Sequence, residues 1–159
     1  MEKNQLLVSL QNITKIYGVH KVLDNVSFDL RKGEIHCLVG ENGAGKSTLI
    51  KILSGAISPE SGDLYVTGQK IASMTPRKAI ELGIVTVYQD AELVESLTVA
   101  DNIFLGDEQS ASLPFIVDKK AQFQKAQEII NTLHMNLPVD VLVEDLSVSQ
   151  KQMVEIVKA

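Results

Sequence analysis

Residue types that mark several other classes of protein are scarce in this sequence. It has no tryptophan, four prolines and a single cysteine, Cys37. One cysteine cannot form an internal disulfide, and its place in an apolar run predicts a buried core thiol rather than a nucleophile. Apolar stretches last only a handful of residues, far short of the roughly 18 that a membrane-spanning helix needs. With no secretory signal pattern at the start either, we expect a cytoplasmic protein.

An excess of positive charge is also lacking. The 159 residues include 15 Lys and Arg against 20 Asp and Glu, a formal net charge of −5. This balance gives no electrostatic reason to bind a polyanionic backbone, so we expect no nucleic-acid partner. Of the residues, 45% are hydrophobic and 22% are charged. Those proportions are typical of one globular domain with a packed core.

The first half of the chain predicts strands, with helices between some of them. Apolar and polar residues nearly alternate over 6–17 and 21–30, and Gly18 between them indicates a turn, so we expect an antiparallel pair. Thr75 and Pro76 predict the start of a helix that Gly83 closes, and another helix should run from a glycine-rich turn to Gly55. Short apolar runs predict three further strands, at 34–39, 63–66 and 84–88.

The second half is predicted to be mostly helical. Apolar residues recur at helical spacing over 98–105 and 118–134, and Ser147 is placed to open a last helix. Residues 107–117 are predicted to form a loop, and 141–145 a loop or short turn.

The strongest chemical signal lies where a predicted strand meets a predicted helix. The first eight residues of a nine-residue run there satisfy the phosphate-binding P-loop pattern G-x-x-x-x-G-K-[ST]. The glycines let backbone N–H groups converge on an anion, and the helix adds its unpaired N-terminal amides. The lysine can reach the terminal phosphates, and the first hydroxyl is the expected protein ligand for Mg²⁺. The run is Gly40, Glu41, Asn42, Gly43, Ala44, Gly45, Lys46, Ser47 and Thr48.

Three segments around this loop resemble a family. Ile16-Tyr17-Gly18, Val87-Tyr88-Gln89-Asp90 and Leu146-Ser147-Val148-Ser149-Gln150 are similar, in order and spacing, to motifs of ABC transporter ATP-binding domains. The resemblance implies an α/β P-loop NTPase fold with an N-terminal antiparallel β layer and a helical subdomain, incomplete at its C-terminus. We expect the β layer and P-loop core in residues 1–90 and the helical part in 91–159.

The resemblance also implies roles for single residues. Tyr17 would stack on the adenine of ATP, although an aromatic residue alone is more often part of a core. Gln89 would contact Mg²⁺ or the attacking water. Ser147, Ser149 and Gln150 stand where the family has its LSGGQ signature, whose glycines are replaced here by Val148 and Ser149. They would contact the ATP of a second ATPase domain arranged head to tail, although Ser147 and Gln150 also form a capping box.

Residues 74–84 and 146–156 look most like those of importers of simple sugars of the ribose and galactose type. The implied function is an ATP-binding subunit that couples ATP hydrolysis to sugar uptake. It would work with membrane permease subunits at the cytoplasmic face of the membrane.

The catalytic groups of the family are not found in this sequence. The family places a metal-binding Asp, a catalytic Glu and a switch histidine after the signature helix. The 159 residues end inside that helix, so we expect this chain to bind ATP without turnover. Glu144 and Asp145 imitate the acids but precede the signature, and His20, His36 and His134 are misplaced for the switch. A non-catalytic nucleotide-binding module and an ABC-type ATPase acting on DNA remain alternatives, whereas a GTPase is disfavoured.

Overall fold

The computed structural model describes residues 5–87, 93–106 and 118–159. The chain divides into two compact units, residues 1–85 and 86–159. The first unit is built around a sheet and the second around helices.

An antiparallel sheet of four strands forms the first unit, in the order β2-β1-β3-β4. The strands predicted from alternation at 6–17, 21–30 and 63–66 are confirmed. Strand β4 was not predicted from the sequence, and it follows a two-residue turn at Thr67 and Gly68. Both turn residues have positive φ, the conformation that joins tight hairpins. The strands are β1 Leu6–Tyr17, β2 His20–Arg31, β3 Ser61–Val66 and β4 Gln69–Ile71.

Two helices belong to this unit, α1 Lys46–Leu53 and α2 Pro76–Glu81. Helix α2 begins as predicted, because the Thr75 hydroxyl accepts a hydrogen bond from the Lys78 N–H. In α1, Leu49 and Ile52 lie three residues apart on one face and are buried. They belong to the same apolar cluster as Leu10 of β1. Burial stabilises each such side chain by about 1.5–3 kcal/mol, which fixes α1 against the sheet.

Two predicted strands are wrong. Residues 34–39 and 84–87 form no strand, and neither segment is hydrogen-bonded into the four-stranded sheet. The apolar residues indicate a tendency to be buried, but a strand also needs a neighbour that completes its hydrogen bonds. Ile35 and Val39 are instead 94% and 89% exposed. Cys37 lies between them and is exposed, so the prediction of a buried core thiol is also wrong.

The second unit contains α3 Val99–Ile103, α4 Lys119–Thr132 and α5 Val148–Lys158. Two of these helices begin where they were predicted to, and Thr98 and Asp118 cap them, since each side chain accepts a backbone N–H. Residues 143–145 form a single 3-10 turn, as expected for 141–145. The predicted loop at 107–117 lies outside the described residues. The core of this unit includes Val99, Ala100, Ala126, Ile130, Val143 and Val154, all fully buried.

No helix in the described part of the chain has the length and apolarity that a bilayer crossing requires.

Candidate nucleotide-binding site

The predicted P-loop runs directly into α1. Gly45 is the residue before the helix and offers no side-chain cap. The first intrahelical hydrogen bond runs from the Leu49 N–H to the Gly45 carbonyl at 2.9 Å. The N–H groups of Lys46, Ser47 and Thr48 therefore have no carbonyl partner within the helix. Together with the positive end of the helix dipole, these amides suit an anion.

Two glycines give the loop its shape. Gly43 and Gly45 both have φ +86°, a left-handed conformation that other residues adopt only with strain. A Cβ at Gly45 would lie 2.8 Å from the Val22 carbonyl oxygen and 2.7 Å from a Leu23 methyl group. A Cβ at Gly43 would meet nothing within 4 Å. The loop is therefore pressed against β2 at Gly45, while the space beside Gly43 is open to a ligand.

Lys46 places a positive charge inside this loop. Its Nζ donates to the carbonyl oxygens of Gly40 and Glu41, both at 2.7 Å. An ammonium group has three N–H donors, so one remains for a phosphate oxygen. Ser47 is exposed and Thr48 is half-buried. The Ser47 hydroxyl is thus accessible for a metal ion that is itself bound to phosphate.

The chemistry of these donors fits Mg²⁺ held together with a nucleotide. No group of three or more His, Cys, Asp or Glu that could hold a metal ion occurs in residues 5–87, 93–106 and 118–159. Mg²⁺ differs from structural metals in keeping several waters and taking few protein ligands, with substrate phosphates completing its shell. A single hydroxyl beside a phosphate cradle is enough for such an ion.

Tyr17 and the P-loop line the same cavity, of about 360 Å³. Tyr17 is the last residue of β1 and its side chain is 46% exposed. Val22 of β2 and residues 42–48 complete the lining. An exposed aromatic ring beside a phosphate-binding loop can stack on a base whose phosphates enter the loop. The structure therefore brings together the predicted adenine contact and the predicted phosphate site.

The predicted metal contact Gln89 lies outside the described residues, as do Tyr88 and Asp90.

The residues predicted to form the signature open α5 in the helical unit. The Ser147 hydroxyl accepts the Gln150 N–H, and the Gln150 side chain accepts the Ser147 N–H, which confirms the predicted capping box. The Ser149 hydroxyl lies 3.2 Å from that of Ser147. Val148 is 76% exposed. The helix end thus carries two hydroxyl groups, an exposed apolar side chain and the amides of Val148 and Ser149, which have no carbonyl partner within the helix.

Two charged residues near Tyr17 were not predicted from the sequence. The Lys15 ammonium lies over the Tyr17 ring, 5.4 Å from its centroid, and forms a 2.9 Å ion pair with Glu60. Alternation along β1 could have indicated Lys15, because residues two apart in a strand share a face. Nothing local indicates Glu60, which lies far along the sequence.

A glycine loop that leads into a helix, with a lysine inside it and hydroxyls at the helix start, defines a P-loop nucleotide-binding protein. Solved structures agree. A nucleotide-free ATP-binding cassette from an ABC transporter superimposes with a TM-score of 0.80 at 28% identity, covering 96% of this chain and 64% of that one. The ADP conformation of a cassette called MJ1267 gives 0.79 at 28% identity, covering 96% and 63%.

The sequence profile of the ABC transporter family matches residues 23–159, and the chain belongs to that family. A ribose import ATP-binding protein of Caldanaerobacter subterraneus is 44% identical over 153 residues, 96% of this chain and 31% of that protein. A relative from Agrobacterium fabrum, described as a ribose/galactose/methyl galactoside import ATP-binding protein, is 43% identical over 99% of this chain. The chain spans 31% of the length of each of these curated relatives.

Proposed function

We propose that this chain binds Mg·ATP at residues 40–48 as the ATP-binding part of an ABC importer. The observation that carries the proposal is the shared cavity of Tyr17 and the P-loop. A phosphate cradle by itself fits many anions. An exposed aromatic ring on the same cavity selects an anion that also carries a base.

Each residue has a proposed role in binding. The loop amides and Lys46 hold the phosphates, as the two carbonyl bonds of the ammonium already fix it in the loop. The Ser47 hydroxyl ligates Mg²⁺, which neutralises charge on the phosphates when bound. Tyr17 stacks on adenine. Gln89 contacts the metal or the attacking water, a role that rests on its place in the sequence.

The signature end of α5 is proposed to face a second ATPase domain. Its amides and the hydroxyls of Ser147 and Ser149 suit the terminal phosphate of an ATP held by that other domain. Two ATP molecules would then lie between two domains arranged head to tail. Closure of the pair would act on membrane permease subunits, which places the protein at the cytoplasmic face of the membrane. The names of the relatives support ribose or galactose as the class of sugar imported.

We propose further that these 159 residues bind ATP without accelerating its hydrolysis. A cradle that holds the phosphates equally in the ground and transition states does not speed the chemical step. Glu144 and Asp145, the acids that imitate a catalytic pair, lie in the 3-10 turn of the helical unit. An assay of phosphate release should therefore give the rate at which ATP hydrolyses in buffer without protein. Phosphate release above that rate by the wild-type chain, abolished in Lys46→Ala, would overturn the proposal that hydrolysis is not accelerated. Glu144 and Asp145 would then be the next residues to mutate.

The binding proposal is tested by titration with a fluorescent ATP analogue. Binding should be saturable and should weaken strongly in Lys46→Ala. The matched control is Lys51→Ala, because Lys51 is an exposed lysine in the last turn of the same helix. Its loss removes the same charge about 7.5 Å further along the helix axis, and Lys51 is not among the residues that line the cavity, so affinity should change little. Equal binding by wild type and Lys46→Ala would overturn the proposal.

A further inference from the structure

Lys15 is held in place by two hydrogen bonds. Its ammonium donates to the Ser58 carbonyl at 2.7 Å and to the Glu60 carboxylate at 2.9 Å. Its side chain is only 13% exposed. From this position the ammonium lies over the Tyr17 ring, 5.4 Å from the centroid, within the range of a cation–π contact. One face of the ring is therefore occupied by a fixed cation.

Glu60 ties the same strand end to the segment after α1. One carboxylate oxygen accepts the Lys15 ammonium and the other accepts the Ile16 N–H at 2.8 Å. The Glu60 N–H in turn donates to the Thr14 carbonyl at 2.9 Å. Glu60 lies between α1 and β3, so it anchors the end of β1 to the chain that leaves the P-loop helix.

These contacts have a consequence for the cavity. Tyr17 is 46% exposed and terminates its strand, so packing alone leaves its ring considerable freedom. A cation fixed on one face restricts the ring and leaves the opposite face for a planar ligand. The cost of ordering the ring is then met before the ligand arrives, which raises affinity.

We propose that Lys15 is a positioning residue for base recognition, holding the Tyr17 ring so that its free face receives the purine of the nucleotide. The inference rests on the proposed stacking of adenine on Tyr17. It assigns Lys15 a contribution to binding of the base and none to binding of the phosphates. It also makes Glu60 the anchor that keeps Lys15 in place.

The test compares the dissociation constants of Mg·ATP and of Mg·tripolyphosphate, which has the phosphates without the base. Both are measured by calorimetry on the full 159-residue chain. Lys15→Met keeps the apolar stem and removes the charge, and Lys15→Arg keeps a cation. Lys21→Met is the control, because Lys21 is an exposed lysine on the neighbouring strand, paired with Asp24. Thermal melting verifies that each variant is folded.

Lys15→Met should weaken the binding of Mg·ATP about three-fold or more, because the ligand must then order a ring that Lys15 no longer holds in advance, and it should leave the binding of tripolyphosphate unchanged. Lys15→Arg should retain ATP affinity, and Lys21→Met should bind both ligands like the wild type. If Lys15→Met does not fold, Glu60→Gln replaces it, since the amide oxygen can still accept the Ile16 N–H. The same selective loss of ATP is then expected.

Three outcomes would overturn the inference. In the first, Lys15→Met binds ATP like the wild type although Tyr17→Ala lowers the affinity for ATP. In the second, Lys15→Met lowers the affinities for ATP and for tripolyphosphate equally. In the third, Tyr17→Ala leaves the affinity for ATP unchanged, which would show that Tyr17 does not stack on the base. Failure of the phosphate site is a separate result, because only then would Lys46→Ala bind tripolyphosphate like the wild type.

Discussion

Gly43 and Gly45 allow a comparison in which φ is the same and packing differs. Both have φ +86°. Alanine at either position is forced into a left-handed conformation, which costs about 1–2 kcal/mol. The difference between the two variants therefore measures what the new methyl group touches.

The structure predicts a large difference. The methyl group of Gly45→Ala would lie 2.8 Å from the Val22 carbonyl oxygen, which is backbone of β2 and moves only with the strand. Overpacking of this kind typically costs about 1–3 kcal/mol beyond the shared strain. The methyl group of Gly43→Ala meets no protein atom within 4 Å. Gly45→Ala should thus lower the free energy of unfolding by about 1–3 kcal/mol more than Gly43→Ala.

Urea denaturation followed by circular dichroism measures both variants against the wild type. ATP titration of the same samples adds a second comparison, because Gly43 lines the cavity. Gly43→Ala should also weaken the binding of ATP, because the new methyl group enters the space proposed for the ligand. Equal destabilisation by the two substitutions would refute the close packing of the loop against β2.

Two further predictions concern stability. Asn102 is fully buried and its side chain bonds the backbone of Val94, Leu97 and Thr98. Asn102→Ala should therefore lower the denaturation midpoint markedly, because at least the Val94 N–H loses its partner at a cost of about 1–3 kcal/mol; an unchanged midpoint would contradict this. The Lys15 hydrogen bond lowers the pKa of Glu60 below the ordinary 4.5. As the pH falls, the unfolded chain therefore takes up a proton at Glu60 before the folded chain does. The stabilisation by the Glu60 carboxylate is complete above pH 4.5 and is lost as the pH falls through the pKa of Glu60 in the folded chain. Glu60→Gln should flatten the fall of the denaturation midpoint below about pH 4.5, and an undiminished fall would show that other carboxylates cause it.

Local signals in the sequence predicted much of the fold. Thr75 and Ser147 accept the backbone N–H groups that the capping patterns require. The alternation of β1 and β2 was sufficient because strands joined by a tight turn pair with each other. Such features depend on residues a few positions apart, so one sequence is enough to find them.

Features that depend on distant partners were not predictable. The apolar residues of 34–39 indicate burial, yet Ile35 and Val39 are exposed because the segment is paired into no sheet of the described residues. The site shows the same limit. The order of residues was sufficient to predict the loop at 40–48, whereas the contact of Glu60 with Lys15 joins residues 45 positions apart.

The most direct test of the central claim follows the backbone amides of the chain by NMR as Mg·ATP is added. Nucleotide bound in the proposed cavity should cause its largest shifts at the amides of residues 43–48, whose N–H groups would donate to phosphate. A smaller group of shifts should include Tyr17, and Lys46→Ala should suppress both. Shifts that cluster outside the cavity, or that persist unchanged in Lys46→Ala, would contradict a nucleotide site at this loop.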